Sequence, residues 1–111
     1  MGDEEAMSYI EHHAILVTSW KRADVEKAHA VAPEPKSAVI GGLVNDGASF
    51  AVLPDHSKEG WKTSDEMDAK RAGFLAWIEE SDLFLDVVEV RFGGDMPEHA
   101  EITHRIPEGE G

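Results

Sequence analysis

The five residues Ala14-Ile15-Leu16-Val17-Thr18 constrain this chain more than any other segment. The run is almost unbroken in apolar and β-branched side chains, and its length suits a strand. Side chains of a strand alternate between two faces, so a strand without alternation predicts cover on both sides and a central place in a sheet. From Lys21 to Ala32 the pattern predicts a helix, with Val25, Ala28, His29 and Ala32 at three-to-four spacing and Pro33-Glu34-Pro35 ending it. Ala38 to Val44 predicts a second strand, weakened at Gly41-Gly42, and Ser49 to Leu53 a third. Asn45-Asp46-Gly47 joins them as a hairpin turn, since Asn and Gly accept positive φ.

Pro54 to Lys62 reads as a loop, and a second helix follows. Thr63-Ser64-Asp65-Glu66 fits a capping box, with the Thr63 hydroxyl at the helix start and Glu66 reaching back. Met67, Arg71, Phe74, Leu75 and Ile78 then form one stripe, and Ser81-Asp82 closes the helix. Val87 to Phe92 alternates as a fourth strand, with Val88, Val90 and Phe92 on one face and Val87, Glu89 and Arg91 on the other. Gly93-Gly94-Asp95 turns the chain, and Glu101 to Ile106 can add a short fifth strand. The order is β-α-β-β-α-β. With right-handed crossovers it predicts an α+β ferredoxin-like sandwich: one antiparallel sheet in the order 4-1-3-2, both helices on one face, and an extra C-terminal strand. The other face of strand one then needs cover, and a homodimer packed sheet on sheet would supply it. Trp20 and Trp77, with Phe74 and Phe84, are expected in the core or at that dimer contact.

With 111 residues and 41% apolar side chains the chain predicts a single domain over residues 7–106. Acidic tails at 1–6 and 107–111 are expected to stay solvated and flexible. Asp3, Glu4, Glu5, Glu108 and Glu110 lie in those tails, leaving 18 acids against 10 bases between them. The whole carries a net charge of −13, which argues against direct nucleic-acid binding, because counterion release needs clustered Lys and Arg. The same charge would attract basic partner proteins. Without cysteine there is neither thiol catalysis nor a Cys-based zinc site. No run of 18 apolar residues suggests a membrane span, and the acidic start is unlike a signal peptide, so a cytoplasmic protein is expected.

The predicted topology gathers one candidate surface. The start of strand one, the end of strand three, the start of helix two and the end of strand four share a rim. His12, His13, His56, Lys58, Trp61, Lys62 and Thr63 fall there as candidate ligand-binding residues. A helix N-terminus and nearby cations suit an anion such as a nucleotide, and Trp61 could stack on a base. Against this, Asp65 and Glu66 occupy the same helix start and can satisfy its amides, and Trp61 can fold back over the core.

Other chemistry is poorly supported. His12 and His13 are adjacent, so a strand sends them to opposite faces and they cannot chelate one metal together. His99 and Glu101 share a strand face, but two ligands are too few for zinc. A metal could still bind by combining His12 or His13 with His56 across the rim, although neither a metal nor a cofactor is expected. His29 lies on the apolar stripe of helix one and reads as a semi-buried structural histidine. Asp55-His56-Ser57 are consecutive and cannot form a relay, which needs partners from different elements. His99-Ala100-Glu101-Ile102-Thr103 lacks the histidine spacing of two-histidine phosphoesterases, and no G-x-G-x-x-G or P-loop is present.

Two segments carry a resemblance. His12-His13-Ala14-Ile15-Leu16-Val17-Thr18-Ser19-Trp20 and Pro54-Asp55-His56-Ser57-Lys58-Glu59-Gly60-Trp61 resemble small accessory proteins of tailed bacteriophages and prophages. In those, H-H-A-I-x-V-T-S-W and P-D-G-S-K-E-G-W recur with an acidic balance. Here His56 takes the place of the usual glycine. The resemblance spans most of residues 8–104 and implies a non-catalytic, host-modulating or counter-defence binding protein in the host cytoplasm. Such a protein would sequester an anionic, nucleotide-like ligand or inhibit a host protein. Two other readings compete. One is a small dimeric ferredoxin-like enzyme of monooxygenase or isomerase type, using His13 or His29 in a cavity wall. The other is an acidic nucleic-acid mimic presenting Glu11, Glu26, Glu79, Glu80, Glu89 and Glu101.

Overall fold

The computed structural model describes residues 11–57, 60–94 and 100–108. The expected acidic tails, apart from residues 107 and 108, lie outside these residues, as do Lys58 and His99. The fold is α+β: two helices and a five-stranded antiparallel sheet. In chain order the elements are β1 (Glu11–Ser19), α1 (Arg22–Val31), β2 (Ile40–Gly41), β3 (Ala48–Val52), α2 (Lys62–Glu80), β4 (Asp86–Gly93) and β5 (Ala100–Ile106). The sheet order is β2-β3-β1-β4-β5, so β1 is central, with two strands on either side.

Register fixes which residues look where. Ile15 pairs with Val52 of β3 and Glu89 of β4, and Val17 with Phe50 and Val87. Ile15, Val17, Phe50, Val52 and Val87 join Val25 and Ala28 of α1 and Phe74, Leu75 and Ile78 of α2 in one buried cluster. Both helices therefore cover the same face of the sheet. Phe50 stands between them: its ring meets the His29 ring edge-on at 4.9 Å and lies 6.5 Å from that of Phe74.

Among the described residues no element covers the opposite face, which the sequence reading left to a second copy. Leu16 is 50% exposed and Thr18 is exposed too, so β1 is buried on one side only. In β4 the mixed set Val87, Glu89 and Arg91 faces the helices, while the apolar set Val88, Val90 and Phe92 faces outward. Trp20 and Trp77 are also partly exposed instead of central. Trp20 packs edge-on against Phe84 at 5.8 Å under the Lys21 ammonium.

Three boundaries differ from the sequence reading. The second strand shrinks from residues 38–44 to Ile40–Gly41, because the Gly42 N–H donates to the Gly47 carbonyl (2.9 Å) and turns the chain early. Asn45 takes φ +67° in that turn, as its residue type allows. Upstream the chain is tied to β3 through a Lys36–Val52 bridge and the Ser37 amide on the Ala51 carbonyl (2.8 Å). The second helix starts at Lys62: the Asp65 N–H reaches the Trp61 carbonyl (3.1 Å), which puts Thr63 inside the first turn. No side chain caps that end, so the capping box is not formed.

In the β4–β5 pairing, Glu89 faces His104 but Val90 faces Ile102, leaving Thr103 as the extra residue of a bulge. At the turn after β4, Gly94 has φ +75°, and a Cβ there would stand 2.8 Å from Glu11 Cγ. No helix among the described residues is long and apolar enough to cross a membrane. Because Phe50 is shared by both helical layers, Phe50→Ala is expected to cost about 3–5 kcal/mol, measured by urea denaturation.

Candidate functional site

Antiparallel pairing brings the start of β1 to the end of β4, with Glu11 opposite Gly93 and His12 opposite Phe92. The chain leaving β3 returns to the same end. There the His12 ring meets the His56 ring edge-on at 5.1 Å and lies 5.2 Å from Phe92. His12 Nδ1 is buried and has no hydrogen-bond partner. Two of the predicted ligand residues are thus in contact. Trp61, Lys62 and Thr63 stand exposed at the start of α2. Lys58 lies outside the described residues.

The loop after β3 owes its shape to Asp55. Its Oδ1 accepts from the Ser57 amide (2.8 Å) and hydroxyl (2.6 Å), an Asx-type turn. This turn holds His56 at φ +66°, the left-handed region where glycine is at home. Asp55 Oδ2 accepts from Arg71 Nη1 at 3.2 Å. Burial pushes the Asp55 carboxyl up. The Ser57 hydroxyl and amide and the Arg71 guanidinium outweigh that and hold it below the usual carboxylate range.

Arg71 is the residue that sequence reasoning missed. It is only 3% exposed, although it sits on a helix. A buried guanidinium must be paired, and three elements supply the carboxylates. Asp55 comes from the loop, Asp68 from the preceding turn of α2, and Glu89 from β4 with its Oε2 at 3.7 Å from Nε. Glu89 also accepts from the Thr103 hydroxyl (2.7 Å), which the bulge of β5 delivers. The signal was present in the sequence: one arginine interrupts the apolar stripe between Met67 and Phe74.

Beside Arg71 opens a cleft of about 520 Å³ between α2 and strands β1, β4 and β5. Of the predicted site residues, His13 lines it, on the opposite side of β1 from His12. Glu11, Asp68, Glu79 and Glu89 line it against two arginines, Arg71 and Arg91. Both arginines are already engaged: Arg91 pairs with Glu101 and, at 4.0 Å, with Glu11. His104 contacts Glu79 at 2.9 Å. The cleft therefore has more carboxylates than arginines, and its arginines are committed.

His29 is a structural residue, packed on Phe50 with Nε2 2.8 Å from the Ser37 carbonyl oxygen. Among the described residues no three His, Asp or Glu side chains converge as a metal site requires. Comparison with protein-family models, with curated proteins and with solved structures finds no match.

Two outcomes test this geometry. Asp55→Asn is expected to cost about 2 kcal/mol at neutral pH, because it weakens bonds to charged partners. Since the folded carboxyl titrates lower than its unfolded value of about 3.9, the benefit of Asp55 is complete above that pH. It fades as pH falls through the folded value, so wild type and variant should converge in acid, followed by thermal melts from pH 7 to pH 2. His56→Gly is expected to add about 0.5–1 kcal/mol by chemical denaturation, since relief of left-handed strain exceeds the entropy cost of glycine.

Proposed function

We propose that this chain is a non-catalytic binding protein that holds a basic segment of a partner protein in the cleft beside α2. The observation that carries this reading is the carboxylate surplus there. Of the two ligands left open by the sequence, an anionic nucleotide or a protein, the cleft favours the protein. An anion would have to displace Asp55, Asp68 or Glu89 from Arg71, or Glu11 and Glu101 from Arg91. An arginine or lysine from outside would instead meet Glu11 and Glu79, whose contacts with Arg91 and His104 are partly exposed, and would leave the buried pairs of Arg71 intact. The net charge of −13 steers such a partner toward the surface at long range.

The scaffold is read here as a ferredoxin-like sandwich. From the β5 edge the order is β5-β4-β1-β3-β2, which is 4-1-3-2 with one strand added beside β4. Kinship with phage accessory proteins finds support in the loop: those proteins carry glycine at the position where His56 adopts φ +66°. On that reading the partner is a basic host protein, engaged in the host cytoplasm. The enzyme reading loses His29 to its structural role, and His13 faces a polar cleft instead of an apolar cavity. The mimic reading uses some of the same carboxylates, but Glu26 lies apart on α1, paired with Arg22.

Titration calorimetry with a nona-arginine peptide tests the proposal. Binding should weaken about tenfold or more between 50 and 300 mM NaCl, since exposed charges are screened. It should weaken several-fold further in Glu79→Lys than in Asp46→Lys, which makes the same charge change outside the cleft. Equal effects of the two variants would sink the cleft as the site. A thermal shift with ADP-ribose or cyclic nucleotides, lost in Lys58→Ala or Trp61→Ala, would move the function to the rim.

A further inference from the structure

We infer that the uncovered face of the sheet is an interface between two copies of this chain. The inference is independent of the acidic cleft, which lies on the other face. Register places Leu16, Val88, Val90, Phe92, Ile102 and Ile40 on the outward side of the strands. Ile40 and Ile102, at opposite edges of the sheet, are 65% and 66% exposed, and Leu16, in the middle, 50%. These side chains come from four of the five strands, β3 adding Ala51 opposite Leu16, and form an exposed apolar surface of the kind that marks an association site.

Charge identifies the occupant. The chain carries 23 acidic residues against 10 basic ones, so two copies repel each other wherever their surfaces follow that balance. Across this face the register places one acid among the described strand residues, Asp86, and its carboxylate is paired with Arg105 on the neighbouring strand. The described strand residues of this face thus carry no unpaired acid, on a chain that is acidic as a whole. The face is therefore a surface that another copy can approach without unpaired like charges meeting in a desolvated layer.

Geometry agrees. β1 is the third of five strands, so Leu16 lies near the middle of the face. A two-fold axis there would set each copy's patch on the identical patch of the other, the self-complementary contact of an isologous dimer. Five strands about 4.8 Å apart, of lengths that average roughly 20 Å although β2 has only two residues, present about 500 Å² per copy. Two such faces reach the roughly 1,000 Å² that a specific interface requires. Sheets stacked this way bury an inner layer about 10 Å thick, which completes the second cover that the apolar run of β1 demands.

Sedimentation velocity of the full chain from 5 to 200 μM tests this, with circular dichroism on each variant. The wild type is expected to run as a dimer at the upper end. Leu16→Asp is expected to weaken association about 100-fold or more, because two carboxylates would be buried near the axis, while its dichroism stays native. Glu79→Lys, on the helix side, is expected to leave the dimer intact. A wild type that stays at 12.2 kDa throughout overturns the inference, as does a folded Leu16→Asp that still dimerises. If Leu16→Asp unfolds, Ile102→Asp at the exposed edge strand replaces it with the same expectations. Should removal of residues 1–10 alone convert a monomer into a dimer, the chain's own N-terminal segment is the cover and a second copy is not.

Discussion

A guanidinium taken almost wholly out of water costs several kcal/mol unless carboxylates surround it, and Arg71 sets that condition for much of this molecule. Its three partners belong to a loop, a helix and a strand, so the ion cluster ties the loop after β3 to α2 and α2 to β4. Asp55 answers the charge and is itself oriented by Ser57. The turn they close puts His56 at positive φ and its ring against His12. The shape of the rim thus follows from a side chain that does not belong to it. The cleft follows as well, since Asp68 and Glu89, two of the carboxylates that neutralise Arg71, line the space beside it.

The two faces of the sheet answer to different physics. On the helix side, β4 contributes Val87 to the core and Glu89 and Arg91 to ion pairs, so contact there is governed by charge and weakened by salt. On the outer side, Val88, Val90 and Phe92 offer area and no charge, and association there is governed by removal of apolar surface from water. A single strand with strict alternation serves both. On the proposed reading, the separation would let one partner be held electrostatically while a second copy pairs through surface that salt scarcely affects.

Much of the architecture is legible in the sequence. Alternation in β4, the break at Pro33-Glu34-Pro35 and the Asn45 turn place elements to within a few residues, because each rests on local backbone preference. The cap on α2 is not legible: Thr63-Ser64-Asp65-Glu66 has the right spelling, but the helix closes two residues earlier through the Trp61 carbonyl, a choice the side chains do not reveal. The His12–His56 contact follows from antiparallel order alone, since β1 must begin where β3 ends. The ion cluster does not, because Asp55, Asp68 and Glu89 are scattered along the chain and only tertiary packing brings them to Arg71. The outward turn of the apolar set in β4 was equally hidden, for alternation gives two faces without saying which meets the helices.

The margins of the sheet bear on how such a molecule avoids growing without limit. A strand at a sheet edge offers unpaired amides and carbonyls to any neighbour, and identical edges can join into endless ribbons. Here one margin is a strand of two residues, too brief to template an addition, and the other is bent by an extra threonine. Sideways polymerisation is thereby discouraged at both flanks, and the proposed pairing through the flat surface would close after two members.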